Sequence, residues 1–284
     1  MISGATTSLL TGARRGQQDF AGPVLMELGY RPRSLRHSFD LIRVLVRRDF
    51  TLSYRRSVLG VVWSLLLPLA QLLVLALVFQ MVVPLKIEAY PAFVFGGLLP
   101  WAWFSTCLST ACSAFTGNRD LVLRPHFSPP ILLISNTLSH LITYLAAVPV
   151  LLGVLSWYGR PLTAAALLFP LLTLIQGALI VGLGLIAATL NVFYRDVQYL
   201  VSVGLMLLFY LTPVFYAPPA VPAYQLLYAL NPIAVLVVGY RAILFDGVLP
   251  DGFPLLLTSL MCAAIGAAGW LVYRRCEHDL FDTI

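Results

Sequence analysis

Charge is scarce in this chain. Asp, Glu, Lys and Arg make up 11% of its 284 residues, where an ordinary soluble domain carries about 25%. Lysine is rarer still, Lys86 being the single one. A Gly-x-x-x-x-Gly-Lys-Ser/Thr loop is absent, so the chain is not a P-loop ATPase by itself. The four cysteines, Cys107, Cys112, Cys262 and Cys276, lack metal-ligand spacing. Cys107 and Cys112, five apart on one helix, do not face each other, which points to core packing rather than a disulfide. The histidines at 37, 126, 140 and 278 are scattered, with no His-x-x-x-His pair. No catalytic residues, no metal site and no cofactor are expected in this chain. The long apolar windows contain no carboxylate at all. Proton relays and cation-coupled carriers rely on such intramembrane acids, so a secondary transporter is disfavoured. Energy for any transport has to come from another subunit.

What the chain has in quantity is hydrocarbon. Hydrophobic residues reach 60%, and the mean hydropathy is +0.88. Residues 57–85, 89–118, 125–159, 161–194, 197–240 and 252–273 carry no Asp, Glu, Lys or Arg. Each window can hold the roughly 20 apolar residues that a membrane-spanning helix needs. The reading is an all-α integral membrane protein with six spans, at about 58–83, 92–117, 131–156, 163–190, 197–216 and 253–273. The stretch "APPAVPAYQLLYALNPIAVLVVGYRAILFDG", which covers the second half of the fifth window and runs on past it, holds Pro218, Pro219, Pro222 and Pro232. Prolines at that density break helices, so 217–250 is expected as paired re-entrant helices. With both termini cytoplasmic, every Lys and Arg except Lys86, Arg160 and Arg241 falls on the inside. That asymmetry is the positive-inside pattern. The formal charge of +6 thus reads as topology and lipid contact, with no nucleic-acid role.

The arginines are concentrated ahead of the first span. In "LRHSFDLIRVLVRRDF", Arg36, Asp40, Arg43 and Arg47 recur at helical spacing, while Leu35, Phe39, Ile42, Val46 and Phe50 line a neighbouring face. That pattern predicts an amphipathic interface helix over 35–56, preceded by a flexible cytoplasmic tail at 1–34. Its ordinary role is a positive-inside anchor. Within the spans, Asn136, His140 and Thr143 share one face, suited to interhelical hydrogen bonds. Ser64 and Gln71 share a face of the first span, on either side of Pro68. Tyr199, Tyr210, Phe215 and Tyr216 surround Pro213 in the fifth. Aromatics near a span's end are usually interface anchors, and they also suit a pathway for sugars, whose C–H faces stack on rings. The stretch "GALIVGLGLIAATL" is rich in small residues that let backbones approach closely.

Several of these segments occur in the order of a known family. "RRDFTLSYRRSVLGVVWSLLLPL", "FVFGGLLPWAWF", "LVLRPHFSPPILLISNTLSHLI", "NVFYRDVQYLV", "LTPVFY", "LNPIAVLVVGYRAILF" and "YRRCEHDLFDTI" together resemble the membrane subunit of ABC type-2 exporters. The resemblance covers about 35–284 and is to the branch that exports O-antigen, capsular polysaccharide and teichoic acid.

The resemblance implies a homodimer of permeases in a bacterial inner membrane, bound to two nucleotide-binding ATPase subunits that supply ATP and Mg. The substrate it implies is a lipid-linked polysaccharide. A drug or other small hydrophobic molecule is the alternative cargo on the same architecture. The loop 118–130 would dock on the ATPase, with Arg119, Asp120 and Arg124 as polar contacts and Leu121 and Phe127 as apolar anchors. The first and fifth spans would line the channel, through Ser64, Gln71, Tyr199, Tyr210, Phe215 and Tyr216. Arg47, Arg48, Arg55 and Arg56 would sit where a lipid-linked glycan presents its diphosphate, for which guanidinium groups have the right geometry and constant charge.

Overall fold

The computed structural model describes residues 35–54, 62–79, 87–125, 127–160, 162–218 and 228–284. Arg55, Arg56, Lys86 and the 1–34 tail lie outside them, as does the Ser64 side chain. The chain divides into two compact units, Met1–Asp40 and Leu41–Ile284. Of the first, only residues from Leu35 onward are described.

Among the described residues the secondary structure is wholly helical. The elements are α1 (Leu35–Tyr54), α2 (Val62–Leu77), α3 (Tyr90–Cys112), the single turn α4 (Arg119–Val122), α5 (Pro130–Trp157), α6 (Phe169–Phe193), α7 (Val197–Leu211), α8 (Pro232–Arg241) and α9 (Gly252–Thr283). Prolines stand in the first turn of α3, α5, α6 and α8, where the missing N–H costs nothing and the fixed φ suits the helix. Among the described residues, four helical stretches are long and apolar enough to cross a bilayer: Tyr90–Cys112, Pro130–Trp157, Ala164–Phe193 and Gly252–Thr283. Leu66–Leu77 and Val197–Leu211 are apolar but shorter. Fifteen residues rise only about 22 Å, less than the ~30 Å hydrocarbon core.

The core is organised around α3, whose side chains are mostly buried. The Trp103 ring stacks on Tyr144 at a centroid distance of 5.2 Å, and its Nε1 donates to the Thr137 carbonyl at 3.3 Å. Tyr144, Phe169 and Tyr240 continue the aromatic packing across α5, α6 and α8. The Tyr240 hydroxyl reaches Thr173 Oγ1 at 3.3 Å. Gln176, fully buried, donates to the Pro100 carbonyl at 2.8 Å. Asn136 joins α5 to α3, donating to the Cys107 carbonyl at 3.1 Å and accepting from Thr110 at 3.0 Å. All four cysteines are free thiols.

The most extensive helix pairing joins α6 and α9. Small residues bring their backbones together: a Cβ on Gly182 would lie 2.8 Å from both Cα and N of Gly266. A Cβ on Gly269 would collide with the Gly182 carbonyl oxygen. Close backbone approach of this kind substitutes for the hydrophobic driving force that lipid does not provide.

By contrast, α7 buries no side chain, and most of the described side chains of α2 are exposed or half-exposed. Beyond Leu211 the chain leaves the helical path but not the protein interior. Thr212, Pro213 and Val214 are buried.

Candidate functional site

Two regions collect the chemistry. The first lies where α1, the end of α3 and α4 meet. Arg48 donates through Nε and Nη2 to Asp49 Oδ1 at 3.0 and 2.8 Å, and through Nη2 to Asn118 Oδ1 at 3.0 Å. Asn118 in turn donates to the Ala114 carbonyl at 2.9 Å. The side chain of α1 is thereby tied to the residue that immediately precedes α4. A polar cavity of ≈ 230 Å³ opens here, lined by Arg48, Asp49, Thr110, Ser113, Asn118 and Asn136. Arg47, one residue earlier, is exposed. Of the pair, Arg47 is the guanidinium presented to solvent or headgroups, and Arg48 is a joint within the chain.

The loop after this joint divides by face. Arg119, Asp120 and Arg124 are exposed, Phe127 is half-buried, and Leu121 and Val122 are buried. Leu121 therefore supports the turn from within, and Leu123 is the apolar side chain turned outward, 45% exposed. One helical turn carries too little periodicity for the sequence to show which leucine faces out.

The second region surrounds the break after α7. Tyr199 and Tyr210 are exposed on α7, Gln71 is exposed on α2, and Phe215 and Tyr216 are half-buried. Phe215 gathers rings from three segments: Phe79 at 5.5 Å, Phe209 at 5.6 Å and Tyr216 at 5.1 Å between centroids. The Tyr216 hydroxyl donates to the Tyr210 carbonyl at 3.1 Å and accepts from the Tyr228 hydroxyl at 3.2 Å. Tyr210, Phe215 and Tyr216 are thus brought together, whereas Tyr199 lies about three turns back along α7. The exposed and half-buried face formed by Gln71, Tyr210, Phe215 and Tyr216 is neutral, polar and aromatic. Such a surface offers ring faces and uncharged hydrogen-bonding groups.

Sequence reasoning missed the residue that organises this region. Arg241, which charge placement alone puts in an outside loop, is buried. Its Nε donates to the Phe93 carbonyl at 3.0 Å, Nη1 to the carbonyls of Pro213 and Tyr216, and Nη2 to that of Val214. The guanidinium also lies over the Phe93 ring, 3.8 Å from its centroid. The available signal was the Gly96–Gly97 pair. A Cβ at Gly97 would stand 2.5 Å from Arg241 Nη2.

Nearer the chain's other loops, Arg160 pairs with Glu88 at 3.3 Å and covers the Phe245 ring. Thr163 Oγ1 donates to the Gly247 carbonyl at 2.9 Å. Among the described residues no group of His, Cys, Asp and Glu has the arrangement of a metal site.

The family described as ABC-2 type transporter matches residues 40–245. An O-antigen export system permease protein RfbA of Myxococcus xanthus is 36% identical over 86% of this chain and 95% of its own length. A protein of the same description from Klebsiella pneumoniae is 30% identical over 86% of this chain and 96% of its own. The polysialic acid transport protein KpsM of Escherichia coli is 24% identical over 87% of this chain and 99% of its own.

Proposed function

The chain belongs to the ABC-2 type transporter family, and on that premise we propose that it is the permease subunit of an ATP-driven exporter moving a lipid-linked, O-antigen-like polysaccharide across a bacterial inner membrane. The observation that carries this reading is the pair of O-antigen export permeases aligned over nearly their whole lengths. Those names favour a polysaccharide over a drug as cargo. The neutral aromatic region around Phe215 fits a substrate rich in C–H faces and hydroxyls.

The working unit is a homodimer of this chain with two ATPase subunits, which bind ATP and Mg; this chain needs no cofactor of its own. Helices α2 and α7 are the natural channel walls, because most of their described side chains are left exposed or half-exposed within one chain and a second copy would enclose both. The six spans include these two helices, and the 217–250 segment dips in and returns on the outer side. Both termini are cytoplasmic. On the inner surface α1 lies along the headgroups, and the Arg48–Asn118 joint transmits movement of the docked α4 turn to it.

Arg47, Arg55 and Arg56 orient the lipid diphosphate at the inner entrance. Replacing Arg55 and Arg56 together with Gln is expected to cut export sharply while membrane insertion and ATPase binding persist. Export at the parental rate in that double variant rules out the diphosphate role.

Co-purification tests the assembly as a whole. The tagged chain in mild detergent should bring down a P-loop ATPase in equal amount, with ATP hydrolysis in the eluate. A folded chain recovered alone would overturn the exporter reading.

A further inference from the structure

The stretch Pro213–Tyr216 poses a problem that its own backbone does not solve. In a membrane-embedded setting, non-helical backbone persists only where its polar groups find partners inside the protein. Here all four carbonyls from 213 to 216 accept hydrogen bonds from side chains. Arg241 takes Pro213, Val214 and Tyr216, and the Tyr90 hydroxyl takes Phe215 at 2.8 Å. Asn231 adds a contact one residue earlier, its Nδ2 donating to Thr212 Oγ1 at 3.3 Å.

Arg241 is an unusual choice for a mere filler. Among the described residues no carboxylate forms an ion pair with it, and ionisable groups buried in membrane proteins without structural necessity are selected against. Its charge is met instead by carbonyl dipoles and by the Phe93 face, a favourable setting for a guanidinium. The planar fork also does what no other side chain can. It reaches α3 at Phe93 and three carbonyls of the 213–216 segment at once, from the last residue of α8. Gly97 leaves room for it against the backbone of α3.

The segment so held carries Phe215, whose ring meets Phe79, Phe209, Tyr210 and Tyr216, and Tyr216, whose hydroxyl donates to the Tyr210 carbonyl. We propose that Arg241 is a positioning residue for transport: it clasps the unwound 213–216 segment against α3 and so sets the aromatic face of Tyr210, Phe215 and Tyr216 over which the glycan passes. Buried as it is, Arg241 touches no substrate and acts through those rings. The transport half of this statement rests on the polysaccharide reading above; the clasp itself does not.

The test combines two readouts on the detergent-solubilised and the cellular complex. Val214, fully buried, is replaced by Val214→Cys, and its labelling rate by a bulky maleimide is compared with that of the parental chain. In combination with Arg241→Met, labelling is expected to rise and polysaccharide export to fall by roughly 10- to 100-fold, the scale of a small misplacement of a working surface. ATPase binding and hydrolysis persist. Arg241→Lys, with one ammonium instead of a fork, should recover part of both. Gly97→Ala, which crowds the guanidinium from α3 without altering it, should move both readouts in the direction of Arg241→Met.

Unchanged labelling in Arg241→Met overturns the clasp. Increased labelling with undiminished export overturns the positioning role. Failure of both Arg241 variants to assemble with the ATPase makes Arg241 a folding residue only, which also overturns the proposal. If the parental complex exports no polysaccharide, the functional reading fails, while the labelling result still decides the clasp.

Discussion

Gly182→Leu is expected to abolish the monodisperse, detergent-soluble form of this protein, and Gly182→Ala to lower its apparent Tm. The reason is the identity of the atoms in the way. A Cβ at Gly182 would meet Cα and N of Gly266 at 2.8 Å and the carbonyl carbon of Ile265 at 3.1 Å. All three are backbone, so no rotamer change relieves the contact and α6 and α9 have to separate. Overpacking typically costs about 1–3 kcal/mol, and a leucine asks for several times the volume of a methyl group. Gly153→Ala is the control. Nothing lies within 4 Å of a Cβ there, and alanine is the better helix former by about 0.5–1 kcal/mol. Size-exclusion profiles and thermal melts of the purified variants measure both. A Gly182→Leu chain that elutes and melts like the parent would remove the α6–α9 seam from the account.

The second large effect concerns the turn at α4. Leu123→Asp is expected to leave the permease folded, because the side chain is already half in solvent, and to weaken recovery of the ATPase by more than tenfold. A hot-spot side chain at the centre of an interface carries about 2 kcal/mol or more, which exceeds the ~1.4 kcal/mol that a factor of ten requires. Arg124→Glu, also exposed, should act in the same direction by reversing a rim charge. Leu121→Ala behaves differently. That residue is buried within the chain, and truncating a buried leucine costs about 2–5 kcal/mol of stability. It should lower Tm first and affect ATPase binding only through the fold. The contrast between Leu121 and Leu123 is the useful observable. If Leu123→Asp co-purifies with the ATPase as the parent does, docking lies elsewhere on the inner surface.

Much of this protein is written locally. Charge-free windows mark apolar helices because a single ion inside hydrocarbon is costly, and among the described residues four of those windows hold helices long enough to cross a bilayer. The order of short segments from "RRDF" to "YRRCEHDLFDTI" carried the family, which residues 40–245 then matched. The small-residue run of α6 signalled close packing, and the Gly182–Gly266 approach is that packing.

What stayed hidden depends on contacts distant in sequence. Arg241 reads as one more loop charge until Phe93, 148 positions away, and the 213–216 carbonyls are seen around it. That Arg48 also ties α1 to Asn118 cannot be read until Asp49 and Asn118 are found on its guanidinium. Helix periodicity could not sort Leu121 from Leu123 over four residues. In each case the hydrogen-bond partner or the facing side chain comes from another element, and no spacing rule reaches that far.

The most direct test of the central claim is made in the cell that carries this chain. With its coding sequence deleted, the account predicts that lipid-linked polysaccharide accumulates at the cytoplasmic face of the inner membrane and is lost from the cell surface. Restoring the chain should reverse both. Surface polysaccharide at the parental level, with no internal lipid-linked pool, would contradict the assignment of this chain as its export permease.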